Sequence, residues 1–131
     1  MKKIKGLLIM LLISLSLFGM TACKDDGTNS YEQITPQEAK EIMDTESEYI
    51  IIDARTEEEF AEGHIENAIL IPEYEIAQRA EKELPEKDAL ILVYCRSGRR
   101  SKIASDGLVK LGYTNVKEFG GIIDWPYEIV K

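Results

Sequence analysis

Short runs of apolar residues, each closed by a polar or turn-forming residue, punctuate this 131-residue chain. The run 49–52 (YIII) ends at Asp53, 68–71 (AILI) at Pro72, and 89–94 (ALILVY) at a basic loop. Runs that are apolar at every position belong to strands buried on both faces, and such strands pair in parallel. A last short strand is predicted over 116–119. Helix signals fill the gaps. Thr35-Pro36-Gln37-Glu38 reads as a capping box with Pro at the first helical position, predicting a helix to about Asp44. Thr56-Glu57-Glu58-Glu59 is a second capping box, opening a short helix that Gly63 stops. Helical spacing runs over 73–84 through Ile76, Ala80 and Leu84. The span 101–111 puts Ile103, Ala104, Leu108 and Leu111 on one face, and Gly112 closes it. A terminal helical stretch is predicted after Gly120-Gly121. Strands alternating with helices predict an α/β sandwich around a parallel sheet, with one modest core in about a hundred residues.

The first 23 residues differ from the rest. Lys2, Lys3 and Lys5 form a basic stretch, 6–18 is apolar apart from Ser14 and Ser16, and small residues lead to Met20-Thr21-Ala22-Cys23. This is the layout of a secretory signal. The uncharged run between Lys5 and Lys24 is at the lower limit for crossing a bilayer, so a retained transmembrane helix is the competing reading. Met20-Thr21-Ala22-Cys23 resembles a bacterial lipobox, with Met20 where Leu is usual, which implies a lipidated Cys23. The expected organisation is a signal over 1–23, a polar tether over 24–33 and one domain over 34–131. The expected location is extracytoplasmic, held to the cell membrane by the lipid alone.

Three of the 16 basic residues precede Cys23 and all 24 acidic residues follow it, so the remainder carries a net charge of −11. That balance argues against nucleic acid and anionic headgroups as partners. With Cys23 lipidated, Cys95 is the one thiol left, and it cannot form an internal disulfide. It is either buried and inert or reactive.

Ligands of open α/β sheets bind beyond the carboxyl ends of the strands. Cys95-Arg96-Ser97-Gly98-Arg99-Arg100-Ser101 follows the most apolar strand and leads straight into a helix. The loop's N–H groups can turn inward as an anion nest, Gly98 permits a tight path, and the helix's positive end points the same way. Arg96, Arg99, Arg100 and Lys102 cluster four cations in an acidic protein. These surroundings favour thiolate, the nucleophilic form.

The segment VYCRSGRRSKIAS resembles the active-site loop of single-domain rhodaneses. Ile52-Asp53-Ala54-Arg55, Glu59-Phe60, Glu62-Gly63-His64-Ile65, Ala68-Ile69 and Ile71-Pro72 are similar to the family's N-terminal signature. Gly120-Gly121-Ile122 with Asp124-Trp125 is similar to its C-terminal one. The resemblance runs from about Ile34 to the C-terminus. It implies a five-stranded parallel sheet flanked by helices on both faces, and a sulfurtransferase needing neither metal nor organic cofactor. Cys95 would take sulfur from thiosulfate or another small anionic donor as a persulfide and pass it to cyanide, a thiol or a protein. Main-chain N–H groups of Arg96, Ser97, Gly98, Arg99 and Arg100 would hold the persulfide, and the side chain of Arg100 or Arg96 the donor's anionic end. The expected form is a monomer. A related phosphatase-type loop has His before the Cys and Arg six positions after it. Here those places hold Tyr94 and Ser101, and the loop is one residue shorter, suited to sulfur.

Asp53 and Arg55 end a buried strand beside this loop. Buried charges are normally paired, so they are expected to support the site structurally. His64, the one histidine, follows Gly63 at a helix end, where the family position is structural. Asn67 stands where the family often has Gly, and Asn tolerates the left-handed backbone. Trp125 and Tyr127 either line the pocket or cap the core. Two functions remain open: an active sulfurtransferase, or a non-catalytic module whose loop binds a sulfur anion or a protein.

Overall fold

A computed structural model describes residues 30–131; the basic stretch, the apolar run and Cys23 lie outside the described residues. The chain forms β1 (Glu32–Gln33), α1 (Pro36–Thr45), β2 (Ile50–Asp53), α2 (Glu57–Glu62), β3 (Ile69–Leu70) and α3 (Ile76–Glu83). It continues through β4 (Ile91–Cys95), α4 (Arg99–Lys110) and β5 (Val116–Gly121). All five strands pair in parallel in the order β1-β5-β4-β2-β3. Among the described residues no helix is long and apolar enough to cross a membrane.

Strand periodicity divides the core into two layers. Ile52, Ile91, Val93 and Cys95 face α3 and α4, where they meet Ile76, Ala80, Leu84, Ala104 and Leu108. Ile51, Leu92 and Tyr94 point the other way, toward Ala39, Ile42 and Met43 of α1. Both sheet faces are therefore covered, which is why the strands carry no polar alternation. Each fully buried Ile or Leu contributes about 1.5–3 kcal/mol over leaving it in water.

Both predicted N-caps form. Thr35 accepts from the Glu38 N–H at 3.1 Å, and Thr56 and Glu59 close a full capping box on α2. Asn67 takes the left-handed conformation, with φ 67°. Elsewhere the boundaries move. Glu32 and Gln33, at the end of the segment read as a tether, form the edge strand β1. No apolar pattern marks this strand; backbone pairing to β5 makes it, with an ion pair between Glu32 and Lys117 on the adjoining side chains. The helix predicted over 73–84 opens as a 3-10 turn, Glu73–Glu75, before α3. The predicted terminal helix is a single 3-10 turn, Ile122–Asp124. Pro126 drives Trp125 into an extended conformation. The chain then runs on to pair Val130 antiparallel with His64.

The sheet order places the site. From β2 the chain moves outward to β3, and from β4 it moves the other way to β5. The crevice at this reversal lies between the loops that follow β2 and β4, where open α/β sheets bind ligands. Along β5 the register slips: Val93 pairs with Glu118 but Cys95 with Gly121, so β5 carries one extra residue. Gly120 absorbs the bulge at φ 88°. A Cβ on Gly121 would sit 1.9 Å from the Arg96 carbonyl oxygen, a backbone atom with no room to yield. Gly121→Ala is therefore expected to cost at least about 2 kcal/mol by overpacking, read as a drop in thermal unfolding midpoint of about 8 °C or more. An unchanged midpoint would show that the loop and β5 do not need this close approach.

Candidate active site

Cys95 is the last residue of β4, and its side chain is buried, 1% exposed. The loop beyond it is only Arg96-Ser97-Gly98, because α4 begins at Arg99, two residues earlier than the side-chain spacing predicts. Gly98 causes this. Its left-handed backbone (φ 104°) turns the chain at once into the helix and aims its own N–H at the Cys95 sulfur, 3.0 Å away. Arg99 and Arg100 thus belong to the first helical turn. Cations are unfavourable there by up to about 1 kcal/mol. For Arg100 a bidentate ion pair to Glu59 of α2, at 2.6 and 2.9 Å, offsets this.

The loop residues separate by environment. Arg96, Ser97 and Arg99 are exposed, Gly98 is buried, and Arg100 is half-buried. Arg96 lines a cleft of about 390 Å³ with Arg55, Glu59, Glu62, Ile122 and Ile123. Among the described residues Arg96 makes no ion pair. Arg100 is engaged by Glu59 and Arg55 by Asp53. A larger cleft of about 1200 Å³ opens at the opposite, amino ends of β2 and β4. Its lining includes no cysteine, whereas Arg96 of the smaller cleft follows Cys95 directly in the chain.

Asp53 and Arg55 form a buried frame beneath this cleft. The Arg55 guanidinium donates to both Asp53 oxygens, at 2.7 Å from Nη2 and 3.0 and 3.1 Å from Nε. The Arg55 backbone N–H donates to Asp53 as well, at 2.9 Å. Arg55 reaches on to the Gly63 carbonyl (2.6 Å). The Tyr94 hydroxyl donates to Asp53 (2.7 Å) and accepts from the Ile65 N–H (3.0 Å). Burial and the Asp53 charge push the Tyr94 hydroxyl well above its ordinary range, so Tyr94 stays a neutral donor. His64 is engaged by Phe60: the rings stack at 3.6 Å, and the His64 Nδ1 lies 2.8 Å from the Phe60 carbonyl oxygen. Trp125 caps the α1-side core against Phe119, with Tyr127 edge-on to it.

Four contributors escaped sequence reasoning. Glu59 was legible as a capping residue but not as the Arg100 partner, and Tyr94 only as the strand residue before Cys95. Ser101 lies 3.3 Å from the Cys95 sulfur, and its hydroxyl donates to Glu118 at 2.6 Å. A signal for Glu118 did exist: an acidic residue two positions from Val116, on the same face of a short strand.

Arg100 holds the Glu59 carboxyl down at about 2, with the Thr56 N–H assisting. The ion pair thus adds stability in full above the ordinary carboxylate range near 4.5, and loses it as pH falls toward 2. Glu59→Gln is expected to lower stability at pH 7 by about 1 kcal/mol. Denaturant titrations at pH 7, 4 and 2.5 should show that deficit shrinking with acid; a deficit independent of pH would place the effect outside the ion pair.

This geometry has close relatives. The family of the rhodanese-like domain matches residues 35–126. The thiosulfate sulfurtransferase PspE of Escherichia coli is 38% identical over 80 residues, covering 61% of this chain and 77% of that protein. A sulfurtransferase of Allochromatium vinosum is 40% identical over 88 residues, covering 66% and 79%. A solved structure described as rhodanese with anions from E. coli superposes with a TM-score of 0.60 at 36% identity, covering 63% of this chain and 98% of that one. The five-stranded parallel sheet, the cysteine loop at its carboxyl end and these relatives together place the chain in the rhodanese-like domain family, as a rhodanese-type sulfurtransferase.

Proposed function

We propose that Cys95 carries the transferable sulfur as a persulfide, taken from thiosulfate or a similar anionic donor and passed to cyanide, a thiol or a protein. The seat of the sulfur atom carries this reading. It lies against the Gly98 N–H at the amino end of a 12-residue helix whose positive pole faces it. The N–H groups of Arg99 and Arg100, in the first turn, have no intrahelical acceptor and are available to an outer sulfur. The Cys95 thiolate attacks the donor's outer sulfur; the new S–S bond forms as the donor's own S–S bond breaks, its electron pair leaving on sulfite. The acceptor then attacks the outer sulfur of the persulfide, and the pair of that S–S bond returns to Cys95. The name of the Escherichia coli relative supports thiosulfate as donor.

Of the two arginines that sequence reading offers for the donor's anionic end, Arg96 is the better placed. It opens onto the cleft without an ion-pair partner among the described residues, whereas Arg100 is bound by Glu59. Ser97 and Arg99 complete the exposed rim of the anion site. Asp53 and Arg55 support it from below rather than touching substrate. The apolar run and the Met20-Thr21-Ala22-Cys23 motif support a lipid anchor on Cys23 and an extracytoplasmic location on the cell membrane.

Incubation with thiosulfate is expected to add one sulfur (about 32 Da) to the intact mass, reversed by cyanide and absent in Cys95→Ser. Arg96→Ala should raise KM for thiosulfate about tenfold, the loss of one charge-assisted contact, with kcat little changed. No added sulfur from thiosulfate or other sulfane donors would instead make the loop a recognition surface for anions or proteins. The full chain expressed in a bacterium should partition into detergent with an intact mass that begins at Cys23 and carries added acyl chains; a mass that still includes residues 1–22 would point to a retained apolar helix.

A further inference from the structure

Beneath the active-site loop, three side chains join the Cys95 sulfur to the interior. Cys95 donates to the Ser101 hydroxyl oxygen at 3.3 Å, and Ser101 donates to Glu118 Oε1 at 2.6 Å. The same carboxylate oxygen accepts the Gly120 N–H at 2.8 Å. The β5 bulge makes this possible by turning the Gly120 amide back toward Glu118. Glu118 is 2% exposed and Ser101 is fully buried. A carboxylate this deep is normally matched by a cation, yet Glu118 makes no ion pair among the described residues.

The neighbouring charges do not supply one. On the sheet face shared by Cys95 and Glu118, α4 buries Ser101, Ala104, Ser105 and Leu108, and β4 contributes Ile91 and Val93. The edge strand β1 sets Gln33 level with Glu118. The charges nearby lie in other places. Arg100 acts on the sulfur electrostatically but is bound to Glu59. Arg96 faces the cleft, and Arg55 belongs to Asp53 beside Tyr94. Lys117 points to the opposite face of β5 and pairs with Glu32.

We propose that Glu118 is a positioning residue for the sulfur-transfer reaction: through the Ser101 hydroxyl it holds the Cys95 proton, so that thiol and carboxylate share one negative charge. A thiolate and a carboxylate joined by one hydroxyl repel each other in a buried site, and the doubly charged state is disfavoured. The two singly charged states interconvert along the hydrogen bonds. The S–H bond breaks as Ser101 gains that proton, and the Ser101 O–H bond breaks as Glu118 Oε1 gains its proton. Thiolate with neutral Glu118 is the form that attacks. The Gly98 N–H and the α4 amino terminus stabilise the thiolate. During sulfur loading the proton stays on Glu118 and the charge moves to the outer sulfur. When the acceptor takes that sulfur, the proton returns to Cys95. This assignment rests on the persulfide reading for its place in the cycle, but the charge sharing itself can be tested without sulfur transfer.

The test is the pH–rate profile for alkylation of Cys95 by iodoacetamide, in the wild type, Glu118→Gln and Ser101→Ala, with Glu118→Gln/Ser101→Ala as the double variant. Glu118→Gln keeps an acceptor for Ser101 and Gly120 but cannot take the proton. Coupled groups titrate as a pair, so the wild type should show a plateau of reactivity between two rises, whereas an uncoupled thiol shows one. Both single variants should show one rise only, with rates at the plateau at least tenfold below wild type, and the double variant should be no slower than either. Ser101→Ala leaves the Glu118–Gly120 contact in place and gives the same reading if Glu118→Gln does not fold. A profile of unchanged shape in the variants, or a faster reaction at every pH, would overturn the proposal: the first makes Glu118 structural, the second makes it a charge opposing the thiolate. Thiosulfate loading in the same proteins separates the two readings, since charge sharing without sulfur uptake leaves the relay standing and removes the persulfide.

Discussion

The buried carboxylate of Asp53 is the point on which the active end of this domain is hung. It gathers the Arg55 guanidinium, the Arg55 backbone and the Tyr94 hydroxyl, and through them the Gly63 carbonyl and the Ile65 N–H. Those groups come from the ends of β2 and β4, the end of α2 and the approach to β3. Two strands in register could slide or splay at their carboxyl ends, where the ladder stops. A fully satisfied polar cluster there admits one arrangement, because any displacement leaves a charge unpaired in the interior. Tyr94 and Cys95 are successive residues of one strand. Fixing the first on the α1 face therefore fixes the direction of the second on the α4 face.

On the other side of the sheet the constraint is steric. Arg96 can pass over β5 only because Gly121 has no side chain, and Gly98 and Gly120 meet with 3.7 Å between a would-be Cβ and the opposing Cα. The short loop that results brings the helix amino terminus directly against the sulfur. It also forces two arginines into the first turn of α4, where the helix dipole disfavours them. Glu59 answers for one, leaving Arg96 and Arg99 without an ion pair among the described residues. The clustering of cations at the helix start is thus a consequence of backbone economy as much as of composition.

The described fold was legible wherever a residue announces its own environment. Every-position apolar runs located β2, β3, β4 and the layers around them, and Thr35 and Thr56 marked two helix starts to the residue. Asn67 marked a left-handed turn and Gly98 a tight one. The misses share a cause. β1 consists of Glu32 and Gln33, two polar residues that become a strand through backbone bonds to β5, and no side-chain pattern encodes that. The terminal segment carries helical spacing but also Pro126, and pairing of Val130 with His64 decided its path. Helix α4 starts earlier than its apolar spacing suggests because the turn at Gly98, rather than the first buried side chain, sets its amino end.

The site divides along the same line. Cys95, the glycine that frees the loop and the cluster of cations lie together in the chain, and Asp53 and Arg55 are two positions apart, so these candidates could be read from order and spacing; that Asp53 and Arg55 pair with each other could not. Which cations remain free could not, since Glu59 and Arg100 are 41 positions apart and meet only through the packing of α2 against the loop. Nor could the link from Cys95 through Ser101 to Glu118, which depends on a one-residue slip between two strands. Sequence by itself determined the residues able to act and the local backbone that presents them. Tertiary structure decided which charges neutralise one another and which stay exposed, because that is settled by distance and burial between elements the chain brings together only on folding.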